Sequence, residues 1–273
     1  MTEKNMFSLK GKVIIVTGAT GVLGYSFIKA ISGSGAIVGV LGRNEKVANE
    51  RVAEIIAAGG KAIALIADVQ SEAALKECCN KVIQAFGKVD GLVNAAGGNV
   101  PEAVLQPTDD IFSMNVNGMK KAMEVNLWGT VLPTLIFGKA IAENGKGSIV
   151  NISSVSVPRT LTKVLGYSMG KSAVESFNKW MAVELANRYG DAIRMNALVP
   201  GFFLTEQNRT LLTNQDGSYT ARGNSVIAQT PFNRFGNPDE LAGTLVWLLS
   251  DASKFVTGTT ITVDGGFNAF SGV

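Results

Sequence analysis

Tyr167 and Lys171 stand four residues apart in Tyr167-Ser168-Met169-Gly170-Lys171. On a helix that spacing puts a phenol and an ammonium on one face. A free tyrosine, with a pKa of about 10, is a poor acid–base group at neutral pH. A nearby cation stabilises the tyrosinate and lowers that value. The pair therefore predicts a proton carrier that works near neutrality. Ser154 lies thirteen residues upstream, in Asn151-Ile152-Ser153-Ser154. Its hydroxyl can hydrogen-bond a substrate carbonyl oxygen and stabilise the negative charge that develops there. A lone Tyr-x-x-x-Lys is also an ordinary surface helix pair, so its surroundings must decide. The chain has no histidine, which excludes Ser-His-Asp and Cys-His catalysis and His-containing zinc sites. No metal site is expected.

A second constellation points to a dinucleotide. Thr17-Gly18-Ala19-Thr20-Gly21-Val22-Leu23-Gly24 follows an apolar run and opens a helix-like one. Glycines allow a tight turn and close backbone approach to a pyrophosphate, and a helix N-terminus supplies unpaired N–H groups and a favourable dipole. The same string also reads as a plain glycine-rich turn; strand before and helix after favour the phosphate loop. Asp68, followed by Val69, ends the third apolar run, where its carboxylate can accept from an adenine amino group or cap the next helix. Asn94-Ala95-Ala96-Gly97 ends the fourth, where small residues let a flat cofactor lie on the backbone or simply pack tightly. Lys171 can also hold nicotinamide ribose hydroxyls. At the end of the second run an acid would bind the 2′-hydroxyl of NAD. Arg43-Asn44 stands there instead, and Arg43 can pair with a 2′-phosphate. NADP is expected ahead of NAD.

These groups need a scaffold that brings run ends together. Continuous apolar runs predict buried parallel strands at Lys12–Thr17, Ala36–Leu41, Ala62–Ala67, Gly91–Asn94, Ser148–Ile152, Arg194–Val199 and Thr259–Val263. Helical patterns fill the gaps at Leu23–Ser32, Glu45–Ala58, Glu72–Phe86, Met119–Ala142, Gly170–Tyr189 and Pro238–Leu249. The alternation predicts an α/β fold: one Rossmann-type doubly wound parallel sheet of about seven strands, with helices on both faces. Residues 1–8 read as a tail and 9–273 as a single catalytic domain. Gly98–Asn117 and Thr205–Phe235 break the rhythm, and long irregular segments of this kind are functional loops. The second predicts a substrate lid at about 202–235. Both should lie beyond the carboxyl ends of the strands, where open α/β sheets bind ligands.

The composition narrows the partners. Of 273 residues, 46% are hydrophobic and 17% charged, with a net charge of +3. The signs are interspersed, so no nucleic-acid partner is indicated. The two cysteines, Cys78 and Cys79, are neighbours about 100° apart on a helix and pair poorly; a reducing compartment suits them. The N-terminus lacks a signal-peptide core, and no apolar run reads as approaching the ~18 residues of a membrane span. A cytoplasmic protein with no membrane partner is expected.

Taken together, the sequence resembles the short-chain dehydrogenase/reductase family, in its short single-domain branch. The glycine loop, Asp68, Asn94-Ala95-Ala96-Gly97, Ser154, Tyr167 with Lys171, Val199-Pro200-Gly201 with Thr205, and Val263-Asp264-Gly265-Gly266 carry the resemblance, from about Leu9 to the C-terminus. One departure is the glycine spacing, TGxxGxxG where the branch shows TGxxxGxG. The spacing found is that of extended relatives such as sugar-nucleotide epimerases. The resemblance implies that Asn126 holds a water in a proton relay to Lys171. It also implies that Thr205 and the backbone from Val199 through Phe202 fix the nicotinamide carboxamide. Homodimers or homotetramers are implied, with Trp128, Phe177 and Trp180 on the interface helices or in the core.

Within the family, the chain is most similar to D-mannonate oxidoreductases (fructuronate reductases), through Gly97-Gly98-Asn99, Pro200-Gly201-Phe202-Phe203, Gln207-Asn208-Arg209, Asp216-Gly217, Arg222-Gly223, Arg234-Phe235-Gly236 and the tail from Gly266-Phe267 to Val273. The resemblance implies a sugar-acid substrate. A uronate needs a cation for its carboxylate, and arginine offers a planar fork. Arg159, Arg209 and Arg222 are the candidates, with Asn99, Gln207 and Asn208 for the hydroxyls; the arginines can equally tie the lid together. Gluconate 5-dehydrogenase or 3-oxoacyl reductase activity, and a non-catalytic dinucleotide sensor, are the alternatives.

Overall fold

Uninterrupted Val, Ile and Leu runs form seven parallel strands in a computed structural model that describes residues 5–106 and 108–272. They are β1 (Val13–Thr17), β2 (Ile37–Gly42), β3 (Lys61–Ile66), β4 (Gly91–Asn94), β5 (Gly147–Ile152), β6 (Ile193–Pro200) and β7 (Thr260–Val263), in the order β3-β2-β1-β4-β5-β6-β7. The order reverses beside β1, and β4 pairs with it on the other side, so the crevice between their carboxyl ends is the ligand-binding switch point of such a sheet. Strand residues alternate between two cores. Ile14, Val16, Val38 and Val150 pack on one face; Val13, Ile15, Leu65 and Ile149 pack on the other.

Helices cover both faces: α1 (Val22–Gly33), α2 (Glu45–Ala57), α3 (Glu72–Phe86), α4 (Val116–Met123), α5 (Gly129–Glu143), α6 (Leu165–Tyr189), α7 (Glu206–Leu212), α8 (Ala221–Ala228) and α9 (Ala242–Leu249). Asn44 caps α2 through Val47 N–H, Ser71 caps α3 through Ala74 N–H, and Gly87 ends α3 in the left-handed conformation. Of the tail expected over residues 1–8, Met6 and Phe7 are exposed, whereas Leu9 is fully buried. Residues 1–4 and Val273 lie outside the described residues.

Three differences from expectation have clear causes. First, α6 begins at Leu165, five residues before the predicted start at Gly170. Gly166 and Gly170 lie within the helix, where a Cβ on them would meet Met119 Cα and Asn126 Cβ, each at 3.0 Å, so they let α6 touch α4 and the turn that follows it. Second, the predicted helix over Met119–Ala142 starts at Val116 and widens into a π turn at Glu124–Trp128. The stretch Val116–Glu143 is also long and apolar enough to cross a membrane by length and composition, contrary to the sequence expectation. Ala122, Phe137, Ala140 and Ile141 on it are buried, the last three among the core residues of the sheet. Third, the segment expected to be irregular holds two short helices, α7 and α8, and a small apolar core of Leu212, Val226, Ile227 and Phe235. Cys78 and Cys79 are free, as their spacing predicts, and both are buried.

Candidate active site

The carboxyl ends of β1, β4, β5 and β6 bring the predicted groups to one side of the sheet. At β1, Gly18 turns with φ +63°, and a Cβ on it would sit 2.7 Å from Ala95 O. Only glycine lets this turn press against the end of β4. Thr17 fixes that contact: its Oγ1 accepts from Ala95 N–H and Ala96 N–H, both at 3.1 Å. Gly24 lets α1 pack on the loop, since a Cβ there would lie 2.3 Å from Gly18 O. Thr20 lies over Gly42. Gly21 is the N-cap of α1 and no side chain caps the helix, so the first-turn amides around Val22 and Leu23 open onto the loop. A backbone cradle with an uncapped helix start fits a pyrophosphate.

The polar residues around the cradle divide into open and committed ones. Arg43 is exposed at the tip of β2, 3.5 Å from Asp68 Oδ2. Asp68 Oδ1 accepts from Gln70 N–H, and Ser71 rather than Asp68 caps α3. Val69 packs against Gly129 at the start of α5. Two of the cofactor candidates have side chains bonded elsewhere in the fold. Asn44 uses its side chain to cap α2. Asn94 turns its amide into the core, donating to Thr134 Oγ1 at 2.8 Å and Asn151 Oδ1 at 2.9 Å. Asn151 donates in turn to Asn178, which reaches Thr259 O. This buried ladder ties β4 and β5 to α6.

The candidate proton-carrying groups lie at β5 and α6. Ser154 is buried, and its Oγ accepts from Ser156 N–H at 3.1 Å. Tyr167 is half-buried in the first turn of α6, one turn from Lys171. Lys171 is 4% exposed and donates to Ile152 O at 2.8 Å. Its Nζ sits 5.7 Å from the centre of the Tyr167 ring. Gly97 completes the enclosure: with φ +151°, a Cβ on it would fall 2.6 Å from Asn126 Oδ1 and 3.2 Å from Lys171 Nζ.

The electrostatics differ from the sequence expectation in one respect. Burial pushes the Tyr167 phenol up, and a hydrogen bond with Ser154 pulls it partly back. The expected lowering by Lys171 is not found in the protein alone. Burial instead holds Lys171 itself at about 8, against an ordinary lysine value of 10.5. The lysine lies over the ring face and bonds a backbone carbonyl.

Asn126 is fully buried in the π turn, with its amide bonded to backbone throughout. Oδ1 accepts from Gly98 N–H at 3.0 Å; Nδ2 donates to Gly98 O and Ala122 O. Its carbonyl accepts from Thr130 Oγ1. The side chain thus pins the β4 loop to the helix beneath Lys171. On the opposite wall, Pro200 ends β6. Gly201 N–H donates to Val263 O at 2.9 Å, and a Cβ on Gly201 would meet Asp264 Cα at 2.6 Å. Phe202 packs edge-on against Phe267 at 5.1 Å. Thr205 is the N-cap of α7.

The substrate candidates separate sharply. Arg159 is not a free carboxylate ligand: its guanidinium donates to Phe267 O and Phe270 O and stacks on the Phe267 ring at 4.8 Å. It latches the C-terminal turn to the loop that carries Ser154. Asn208 is likewise engaged locally, accepting from Thr205 N–H and donating to Phe203 O. Arg209 is exposed on α7, Arg222 half-buried on α8, and Asn99 exposed beyond β4. The Gln207 side chain lies outside the described residues. Two groups escaped the sequence reading. Glu175 accepts from Ser153 at 2.6 Å, and Arg51 on α2 donates to Ala19 O and Gly21 O of the glycine loop. Neither belongs to a local motif, so only the fold reveals them.

Comparison with known proteins agrees with this geometry. A family model described as Enoyl-(Acyl carrier protein) reductase matches residues 18–268. The chain is 40% identical to UxuB of Bacillus subtilis, an uncharacterised oxidoreductase, over 97% of its length and 98% of the relative's. A crystal structure of a candidate D-mannonate oxidoreductase from Haemophilus influenzae with bound NAD superposes with a TM-score of 0.89, at 37% identity, covering 97% of this chain and 98% of that one. A gluconate 5-dehydrogenase from Burkholderia cenocepacia, in complex with NADP and tartrate, gives a TM-score of 0.85 at 30% identity, with 97% and 98% covered. Sheet order, glycine cradle and the Ser154–Tyr167–Lys171 cluster agree with the same conclusion: the chain belongs to the short-chain dehydrogenase/reductase family.

Proposed function

We propose that this NAD(P)-dependent oxidoreductase reduces the C5 keto group of D-fructuronate to give D-mannonate, reversibly. The observation that carries the reading is the convergence of Ser154, Tyr167 and Lys171 beside the glycine cradle. A bound NADH or NADPH supplies the hydride that reaches the carbonyl carbon. Tyr167 then donates its proton to the carbonyl oxygen, which becomes the alcohol. A phenol that burial keeps protonated is the form this direction requires. Ser154 orients the oxygen and shares its developing charge. Lys171, charged and enclosed, holds the ribose and stabilises the tyrosinate left after transfer. Asn126 fixes the backbone floor of this pocket and anchors the relay that reprotonates Tyr167.

The sugar-acid assignment is supported by the mannonate and gluconate names among the structural neighbours and by the Asn-, Gln- and Arg-bearing lid. With Arg159 latched, Arg209 and Arg222 become the cations proposed for the carboxylate. Exposed Arg43 supports NADP, while the Haemophilus neighbour holds NAD. Residues 9–273 act as one catalytic domain. A homotetramer or homodimer is proposed from Trp128 and Trp180, 51% and 62% exposed on the α5 and α6 side; Phe177 instead packs on the core. The two free thiols fit the cytoplasm.

The test is a spectrophotometric screen of NADH and NADPH oxidation with D-fructuronate, 5-ketogluconate and an acetoacetyl thioester. The proposal expects fructuronate to give the highest kcat/KM. Preference for the thioester would move the assignment to acyl reduction, and cofactor binding without turnover on any of them would move it to a sensor.

A further inference from the structure

The glycine loop departs from the usual spacing of its family branch, and the structure shows a side chain from a neighbouring helix holding it. Arg51, on the second turn of α2, donates from Nη1 to Ala19 O and to Gly21 O, the latter at 2.9 Å. Its guanidinium lies 4.8 Å from the centre of the Tyr25 ring on α1. Tyr25 is itself held, donating its hydroxyl to Glu54 Oε2 on the next turn of α2 at 2.6 Å. Arg51, Tyr25 and Glu54 thus form one brace between α2, α1 and the loop.

We propose that Arg51 is a positioning residue for the dinucleotide, setting affinity for NADH and NADPH alike by fixing the direction of the loop amides. This rests on the glycine loop being the pyrophosphate site. In a trans peptide the N–H points opposite to the C=O of the same unit, and no peptide among the described residues is cis. Ala19 O shares its peptide with Thr20 N–H, and Gly21 O shares its peptide with Val22 N–H. A clamp that draws both carbonyls toward α2 therefore turns both N–H groups away from it, toward the outer side of the loop. Ala19 is tied from its other end as well, its N–H donating to Leu41 O at 3.0 Å. The loop reaches the cofactor already ordered, and less freedom is lost on binding.

Arg51 and Arg43 thereby take different parts. A cation at the tip of β2 discriminates between the two coenzymes; a brace behind the loop acts on what they share. The test is titration of wild type, Arg51→Met and Arg51→Lys with NADH and NADPH, followed by nicotinamide fluorescence, with kcat at saturating cofactor and Tm alongside. Methionine keeps the aliphatic stem against Tyr25 and removes the donors. For Arg51→Met the expected Kd rises about tenfold for both coenzymes, by the same factor, from two lost charge-assisted bonds. Saturated kcat stays at the wild-type value, and Arg51→Lys, which keeps a cation and donors, recovers part of the affinity. A purely structural staple would lower Tm and leave Kd unchanged, which would overturn the proposal. So would a loss confined to NADPH, which would make Arg51 a phosphate ligand. Should Arg51→Met fold poorly, Arg51→Lys decides: weaker binding of both coenzymes by one common factor supports the brace, and wild-type binding refutes it. Wild-type protein that binds neither coenzyme would strike the reading of the loop itself.

Discussion

Replacing Lys171 with methionine should stabilise the cofactor-free protein while removing its activity. Lys171 is 4% exposed, and burial holds it at about 8 rather than 10.5. A proton that the unfolded chain keeps up to 10.5 is released by the folded chain near 8. Between those values the unfolded state binds more protons, so stability rises with pH across the window. Below the window the full penalty stands, about 3 kcal/mol at neutral pH from the linkage of a lowered pKa. Methionine carries no such penalty. It loses the bond to Ile152 O, a cost of about 1 to 1.5 kcal/mol. The net expectation is a gain of about 2 kcal/mol at neutral pH, reversing to a loss of about 1 kcal/mol once the wild-type lysine is neutral. Urea unfolding of both proteins, from neutral pH to above 10.5, reads the difference directly. A variant less stable than wild type at neutral pH, with a difference that stays flat across the window, would contradict a desolvated ammonium at Lys171. It would mean that the ammonium is solvated or paired in the cofactor-free protein.

Four further outcomes are expected. Oxidation of D-mannonate should speed up as pH rises above neutrality and reduction should slow, because burial raises the Tyr167 phenol; an oxidation profile flat from neutrality to alkaline pH would argue against tyrosinate as the base. Arg43→Ala should raise KM for NADPH about tenfold and leave NADH unaffected, from the loss of a charge-assisted phosphate contact, as measured by initial rates with each coenzyme. Arg159→Met should leave coenzyme affinity unchanged but lower Tm by a few degrees and raise substrate KM, since it frees the Phe267–Phe270 turn from the Ser154 loop; unchanged Tm and KM would remove the latch. Asn151→Ala should cost about 2 to 4 kcal/mol in urea unfolding, because it strands the Asn94 and Asn178 amides in the core.

The strand ends, and with them the site, were legible because both-face burial writes itself as continuous apolar sequence. β4 and α3 coincide with their predicted spans, and the other strands differ by no more than one residue at each end. Ser154, Tyr167, Lys171 and the glycine loop were legible for the same reason: each sits at a predicted strand end or on a helix that the motif spacing implies. What the sequence hid was the use of side chains over distance. Arg159 reads as a cation in a loop, and only the folded C-terminal turn shows its carbonyl partners. Asn94 reads as part of a cofactor-facing motif, yet period-two alternation at the end of β4 sends its amide into the core. The predicted helix over Gly170–Tyr189 omits the first five residues of α6, and the close approach of α4 to α6 at Gly166 and Gly170 exists only in three dimensions.

The proposed function makes Tyr167 the proton carrier at a site where hydride reaches a sugar-acid carbonyl. Single-turnover reduction of D-fructuronate by saturating NADH and NADPH, with wild type and Tyr167→Phe compared, tests it most directly. Wild type should oxidise the coenzyme rapidly. The phenylalanine variant should be slower by at least about a hundredfold, the scale of a lost general acid, with coenzyme still bound. A folded, coenzyme-bound Tyr167→Phe protein that turns over at near the wild-type rate would contradict it.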